Sequence, residues 1–205
     1  MSYRQLLSGI LILLNTTLTM NLSAQNRESE TITLGAGCFW CTEAVFDQLK
    51  GIESITSGYS GGKIANPTYR EVTSGLTGHA EVVQIEYNPK IVSLDQILEV
   101  FFRTHNPTTL NRQGADVGTQ YRSVIFYHTD EQKKIAEEVK SRLNELQIWE
   151  NEIVTEITAF EKFYKAEDYH QNYYEKNPAQ GYCQFVIVPK LEKFNQLFQD
   201  LRKTE

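Results

Sequence analysis

Cys38 and Cys41 lie in the run Gly35-Ala36-Gly37-Cys38-Phe39-Trp40-Cys41. A strand-like stretch, Thr31 to Leu34, precedes it, and a helix-like stretch, Thr42 to Lys50, follows. A thiol placed at a helix N-terminus has its thiolate stabilised by unpaired backbone N–H groups and the helix dipole. Gly35 and Gly37 permit a tight strand-to-helix turn and close approach by a substrate. Phe39 and Trp40 set two large apolar surfaces beside the sulfur. These residues describe a reactive cysteine next to an aromatic pocket.

An acid stands out further along. In Glu81-Val82-Val83-Gln84-Ile85-Glu86-Tyr87 the side chains alternate between faces, so Glu81 shares its face with Val83, Ile85 and Tyr87. A carboxyl that begins an apolar face is desolvated, keeps its proton nearer neutral pH and can donate it to an oxygen leaving sulfur or carbon. The plain alternative is a carboxylate at a strand end that reaches water. His79 is a conceivable base for Cys38. The four histidines (79, 105, 128 and 170) are scattered, however, and none has helical metal spacing with another. A zinc site needs a second pair of ligands, and Cys183 stands alone near the other end. Tyr69, Asp116 and Tyr121 sit in loops rich in Gly, Asn and Thr. Tyrosine hydroxyls there can donate to a bound oxygen, or the rings can serve loop packing.

The elements around these residues follow from pattern. The spacing predicts a strand at 31–35, a helix at 38–50 stopped by Gly51, and a loop-rich stretch over 52–80. A strand is expected at 81–87. Ser93 and Gln96 form a capping box for a helix carrying Leu94, Ile97, Leu98 and Phe101. Residues 105–120 read as loop and 122–127 as a buried strand. Thr129 with Gln132 caps a further helix. A strand at 153–157 and helical stretches near 167–176 and 190–202 complete the chain. Mixed strands and helices with long crossovers indicate a two-layer α/β (α+β) sandwich.

The chain has 205 residues, enough for one domain with a sizeable core. Its formal net charge of −6 and the lack of a basic block argue against a nucleic-acid partner. Arg4, the apolar stretch Leu6 to Leu18 and Leu22-Ser23-Ala24 read as a secretory signal, residues 1–24, which leaves 25–205 as the mature domain. The expected destination is the periplasm or the exterior; an uncleaved membrane anchor is the alternative. Three cysteines is an odd count for an exported protein, and an attacking thiol with resolving partners fits it better than a structural framework.

These separate signals form one ordered set. Gly37-Cys38-Phe39-Trp40, Gly58-Tyr59-Ser60-Gly61-Gly62, Asn66-Pro67-Thr68-Tyr69-Arg70-Glu71-Val72, Thr77-Gly78-His79-Ala80-Glu81, Gly118-Thr119-Gln120-Tyr121-Arg122-Ser123, and Ala166-Glu167-Asp168-Tyr169-His170-Gln171 followed by Lys176-Asn177-Pro178 resemble the A-type peptide methionine sulfoxide reductases. The resemblance covers about residues 31 to 190. It implies a ferredoxin-like core with long active-site loops, and reduction of the S epimer of methionine sulfoxide, free or in proteins. By the same resemblance Cys38 is the nucleophile on the sulfoxide sulfur and Glu81 the acid that protonates its oxygen. Tyr69 and Tyr121 donate hydrogen bonds to that oxygen, and Asp116 is a polar group of the site, held by water or a tyrosine. Phe39 and Trp40 seat the substrate methyl group. No metal or organic cofactor is implied, only an external dithiol reductant such as thioredoxin.

Two departures from the common pattern concern the resolving step. Position 41 is Cys where the family most often has Gly, and the segment Gly181 to Lys190 lacks a Gly-rich, two-cysteine tail. Cys41 lies one helical turn from Cys38. Cys183 follows Gly181 in a segment that reads as a mobile tail, and the sequence leans slightly towards it as the resolver. A relay through both is also open. A thioredoxin-like oxidoreductase using Cys38 and Cys41 is the second reading, and it has no need of Glu81. A non-enzymatic binding module leaves the reactive-thiol turn unexplained.

Overall fold

A computed structural model describes residues 29–203; the expected signal segment, 1–24, lies outside them. The elements in chain order are β1 (Glu30–Ala36), α1 (Phe39–Asp47), β2 (Ile52–Ser60), α2 (Tyr69–Thr73), β3 (Ala80–Tyr87), α3 (Leu94–Thr104), β4 (Arg112–Gln113) and β5 (Asp116–Val117), followed by β6 (Ser123–Tyr127), α4 (Asp130–Glu145), β7 (Glu156–Ala159), β8 (Phe163–Lys165), α5 (Tyr173–Lys176) and α6 (Val188–Leu197).

Alternation along the strands separates two packed faces. Ile32 and Leu34 of β1, Val83, Ile85 and Tyr87 of β3 and Ile125 of β6 join Phe39, Val45 and Phe46 of α1 and Ile97, Leu98 and Phe101 of α3. The intervening Val82, Val124 and Phe126 turn to the opposite face, where Phe160 and Phe163 close a smaller cluster. Burying each such side chain is worth about 1.5–3 kcal/mol, so the helix-covered face carries most of the stabilisation.

The sheet order is β7-β6-β1-β3-β2-β8. In its inner four strands, β6-β1-β3-β2, each is antiparallel to its neighbour, and the chain visits them as β1-α1-β2-β3-α3-β6. This is the ferredoxin-like arrangement, as expected. β7 extends it in parallel beside β6, and β8 antiparallel beside β2. The capping box of Ser93 and Gln96 starts α3 as the sequence indicates.

Several expectations are corrected. The stretch 52–80 is not loop throughout: Ile52–Ser60 pairs along nearly all of β3. Its serines and Gly58 hide the strand from propensity, and tertiary pairing overrides them. The strand expected at 153–157 is displaced to Glu156–Ala159. The helical stretch 167–176 is broken into a 3-10 turn at Asp168–His170 and the short α5, because Asn172 takes a left-handed φ of 53°. The last helix begins earlier than 190, at Val188, continuous with a π-helical turn over Cys183–Ile187, and carries Pro189 near that junction. Residues 105–120 hold the small β4–β5 hairpin.

Gly58 has a steric role. A Cβ there would collide with the Phe163 ring and with the Tyr164 carbonyl of β8. Gly58→Ala is therefore expected to destabilise the protein by about 1–3 kcal/mol, the usual cost of overpacking, read as a lower urea midpoint with unchanged slope.

Candidate active site

β1 delivers the chain to α1 through Gly37, whose φ of +90° suits a residue without a side chain. The space a Cβ would need is filled by Gln113, 2.6 Å from the ideal position, so this glycine admits a neighbouring loop and not a substrate. Gln113 is itself fixed by donating to the Asn106 carbonyl at 3.0 Å. Cys38 is the N-cap of α1, but its side chain makes no capping bond. The first helical donor is taken instead by Glu81: the Phe39 N–H donates to Glu81 Oε2 at 3.1 Å.

That bond joins the first apolar-face position of β3 to the start of α1. Glu81 is 1% exposed, so the alternative of a solvated strand-end carboxylate is set aside. Burial, reinforced by the neighbouring Asp116 and Cys41 and opposed by the Phe39 N–H, pushes its carboxyl up to about 8. At pH 7 Glu81 holds a proton that it can give away.

Cys38 is 7% exposed. The dipole argument expects a lowered thiol here, and the structure reverses it. Burial raises Cys38, and a charged Cys41 beside it raises it further. The nearness of Cys38 first, and then of Lys190, lowers the Cys41 thiol. Cys41 and Lys190 line the same small cavity behind α1. Burial thus disfavours the Cys38 thiolate, while Lys190 favours that of Cys41.

Phe39 and Trp40 lie side by side, held by residues that the sequence reading gave no site role. The Phe39 and Trp40 rings lie 6.3 Å apart. Trp40 stacks on Tyr173 at 3.6 Å and 5°. Its indole N–H donates to His170 Nδ1 at 3.1 Å. An indole can only donate, so Nδ1 is an acceptor and the neutral ring carries its proton on Nε2. Burial lowers His170, which favours that neutral form. Glu167 joins the same group: its Oε1 accepts from the Tyr69 N–H and its Oε2 from the Tyr59 hydroxyl, both at 2.9 Å.

The other candidates converge. Burial, then the Glu81 charge, pushes the Tyr69 hydroxyl up to about 12; the same two causes raise Tyr121. Both phenols remain protonated donors near Glu81 and Cys38. Asp116 is held by a tyrosine, as one of its two expected supports: Tyr182 donates to Asp116 Oδ2 at 2.9 Å. The Tyr182 oxygen also lies 3.7 Å from Cys41 Sγ, so one phenol links the loop acid to the thiol pair. No sequence signal marks Tyr182 except that it precedes Cys183.

Two expectations fail. His79 cannot serve Cys38: Gly62 N–H donates to its Nδ1 at 3.0 Å and its Nε2 pairs with the Ile64 carbonyl at 2.8 Å. It pins a loop. Cys183 is not in a loose tail: it is 0% exposed, in a π-helical turn, Cys183–Ile187, that runs into α6. Ile187 and Phe194 pull that segment into the main core. All three thiols are free, and no cluster of metal-binding side chains exists among the described residues.

A family model described as peptide methionine sulfoxide reductase matches residues 30–202. The chain belongs to that family. The peptide methionine sulfoxide reductase MsrA of Polynucleobacter asymbioticus is 55% identical over 172 residues, 84% of this chain and 90% of the relative. Among solved structures, reduced Mxr1 of Saccharomyces cerevisiae is 39% identical, with a TM-score of 0.70 over 76% of this chain and 90% of that one. Mxr1 in complex with Trx2 is 30% identical, with a TM-score of 0.50 over 71% of this chain and 85% of that one. In this member of the family the buried Glu81 meets Cys38 at the start of α1, with Cys41 one turn further on.

Proposed function

We propose that the protein reduces the S epimer of methionine sulfoxide, free or within proteins, to methionine. The observation that carries this reading is the Phe39 N–H bond to Glu81, which sets a protonated acid at the same helix start as a nucleophilic thiol. The sulfoxide methyl enters between Phe39 and Trp40. Its oxygen faces Glu81, Tyr69 and Tyr121, with Asp116 anchored beside them by Tyr182.

The Cys38 sulfur attacks the sulfoxide sulfur while Glu81 protonates the oxygen, so an S–S bond forms as the substrate S–O bond breaks. The oxygen then bonds to the Cys38 sulfur and the S–S bond breaks with its electron pair on the substrate sulfur, which leaves methionine and a Cys38 sulfenic acid: the substrate sulfur gains two electrons and Cys38 loses two. In this proposal Cys41 takes the proton that Cys38 releases. A second thiol then attacks Cys38, water leaves and a disulfide forms, which an external dithiol reduces by exchange. Mxr1 in complex with Trx2 supports a thioredoxin-type reductant as partner. No metal or organic cofactor enters these steps.

Cys41 is the first resolver in this proposal. It sits one turn from the N-capping Cys38, its N–H bonding the Cys38 carbonyl at 3.1 Å, and closure there needs side-chain rotation alone. Cys183 is the second thiol of a relay and requires the π-helical turn to unwind. Such turns are frequent at functional sites. Export to an oxidising compartment, with cleavage after Ala24, completes the proposal and demands a reductant delivered there.

The test is a single-turnover assay on separated sulfoxide epimers of a peptide, without reductant, followed by mass mapping of the disulfide. Consumption of the S epimer alone is expected. Reduction of insulin-type disulfides with neither epimer consumed would favour the thioredoxin-like alternative. In the mapping, Cys183→Ser is expected to leave a Cys38–Cys41 bond, and Cys41→Ser to slow disulfide formation while the sulfenic acid accumulates. A Cys38–Cys183 bond forming at the wild-type rate in Cys41→Ser would remove Cys41 from the resolving step.

A further inference from the structure

Glu43 is a buried acid that the proposed reaction leaves unused. It lies on α1 and is 4% exposed. Its carboxyl group accepts from two donors on two other segments. Ser57 Oγ of β2 donates to Oε1 at 3.2 Å, and the Tyr173 N–H donates to Oε2 at 3.2 Å. Asn172 stands at φ 53° and its own side chain caps nothing. The left-handed turn at Asn172 thus leads directly into the residue whose N–H Glu43 holds.

The segment before it is tied down separately. Gln171 Nε2 donates to the Ser57 and Ala166 carbonyls at 2.9 Å each, and the Ser57 N–H donates to Gln171 Oε1 at 3.0 Å. Residues 166–171 thus stay on β2 without Glu43. What Glu43 adds is the placement of Tyr173, and the Tyr173 ring is the one stacked on Trp40.

We propose that Glu43 is a positioning residue for substrate: through the Tyr173 N–H it fixes Tyr173, and through that ring the face of Trp40 that receives the sulfoxide methyl. The proposal rests on the function given above. In a Glu43→Gln variant the amide oxygen can keep the Tyr173 N–H while the NH2 turns to Ser57, whose hydroxyl also accepts, so the backbone bond becomes a weaker one between neutral groups.

The test uses Glu43→Gln in the full chain. Loss of a charge-assisted contact of this kind is expected to raise KM for the S-sulfoxide peptide about tenfold. The single-turnover rate at saturating substrate should stay near the wild-type value, since the lost contact serves binding and not the chemical step. A substrate-free readout accompanies it. The protein has two tryptophans, so Trp149→Phe isolates Trp40 emission. Adding Glu43→Gln to that background is expected to shift the emission as Tyr173 moves off the ring. An unchanged KM, a loss of rate with KM unchanged, or unaltered Trp40 emission would each overturn the proposal, because a merely structural acid lowers only the folded fraction. If Glu43→Gln does not fold, Tyr173→Leu removes the stacked ring without touching Glu43. It must then show the raised KM with the rate retained, and a wild-type KM there overturns the proposal equally. Should the wild type consume neither epimer, the proposed function fails, while the emission comparison still decides the Glu43 contact.

Discussion

Glu81→Gln is expected to slow single-turnover reduction of the S epimer by about two to four orders of magnitude, the range associated with a lost general acid. The amide keeps an oxygen for the Phe39 N–H, so the start of α1 stays in place. What disappears is a transferable proton beside the sulfoxide oxygen, which is a poor leaving group until protonated. Because the wild-type acid titrates at about 8, its rate should fall as pH rises through that value, and the mutant should show no such limb. Stability supplies an independent check with a definite sign. Burial raises the folded value above the ordinary 4.5 of a glutamate, so between 4.5 and about 8 the unfolded chain loses this proton while the folded protein keeps it. Wild-type stability therefore declines across that window, and the linkage disappears in the variant, which gains on the wild type as pH rises. Urea midpoints at the two ends of the window measure it. Near wild-type turnover in Glu81→Gln removes the acid from the mechanism.

Cys38→Ser is expected to abolish consumption of the S epimer. A serine hydroxyl stays protonated in this buried position and offers a hard oxygen in place of a polarisable sulfur, so no electron pair reaches the substrate sulfur and no sulfenic acid forms. The fold should survive, since the Cys38 carbonyl that starts α1 is unchanged and its side chain caps nothing. The same variant tests the electrostatics of the pair. The leading cause of the lowered Cys41 thiol is the neighbouring Cys38. Replacing that thiol should move the Cys41 titration upward, read by thiolate absorbance. Residual S-epimer consumption in Cys38→Ser would assign the nucleophile to another thiol, while an unmoved titration would place the charge of Cys41 on Lys190 alone.

Much of the site was legible because it rests on short-range regularities. The strand, turn and helix around Cys38 follow from adjacent residues. Alternation along β3 puts Glu81 on the apolar face, and its 1% exposure follows from the helix layer packed there. The ferredoxin-like order came from resemblance, and the antiparallel inner strands agree with it. β2 was missed because Gly58 and its serines carry little strand propensity; its register is set by β3 and by the Phe163 ring that Gly58 admits.

The sequence by itself determined the thiol turn, the apolar-face acid, the tyrosine-bearing loops and the family, since each is written in neighbouring residues or in their order. Tertiary structure alone decided that Cys38 is buried, that Tyr182 joins Asp116 to Cys41, that His79 pins a loop, and that Cys183 is packed in the core. The physical reason is the same in each case. Burial, desolvation and hydrogen-bond partnership are set by groups far apart in the chain, as with Asp116 and Tyr182 or Glu43 and Tyr173, and local pattern carries no record of which distant donor a buried acceptor will meet.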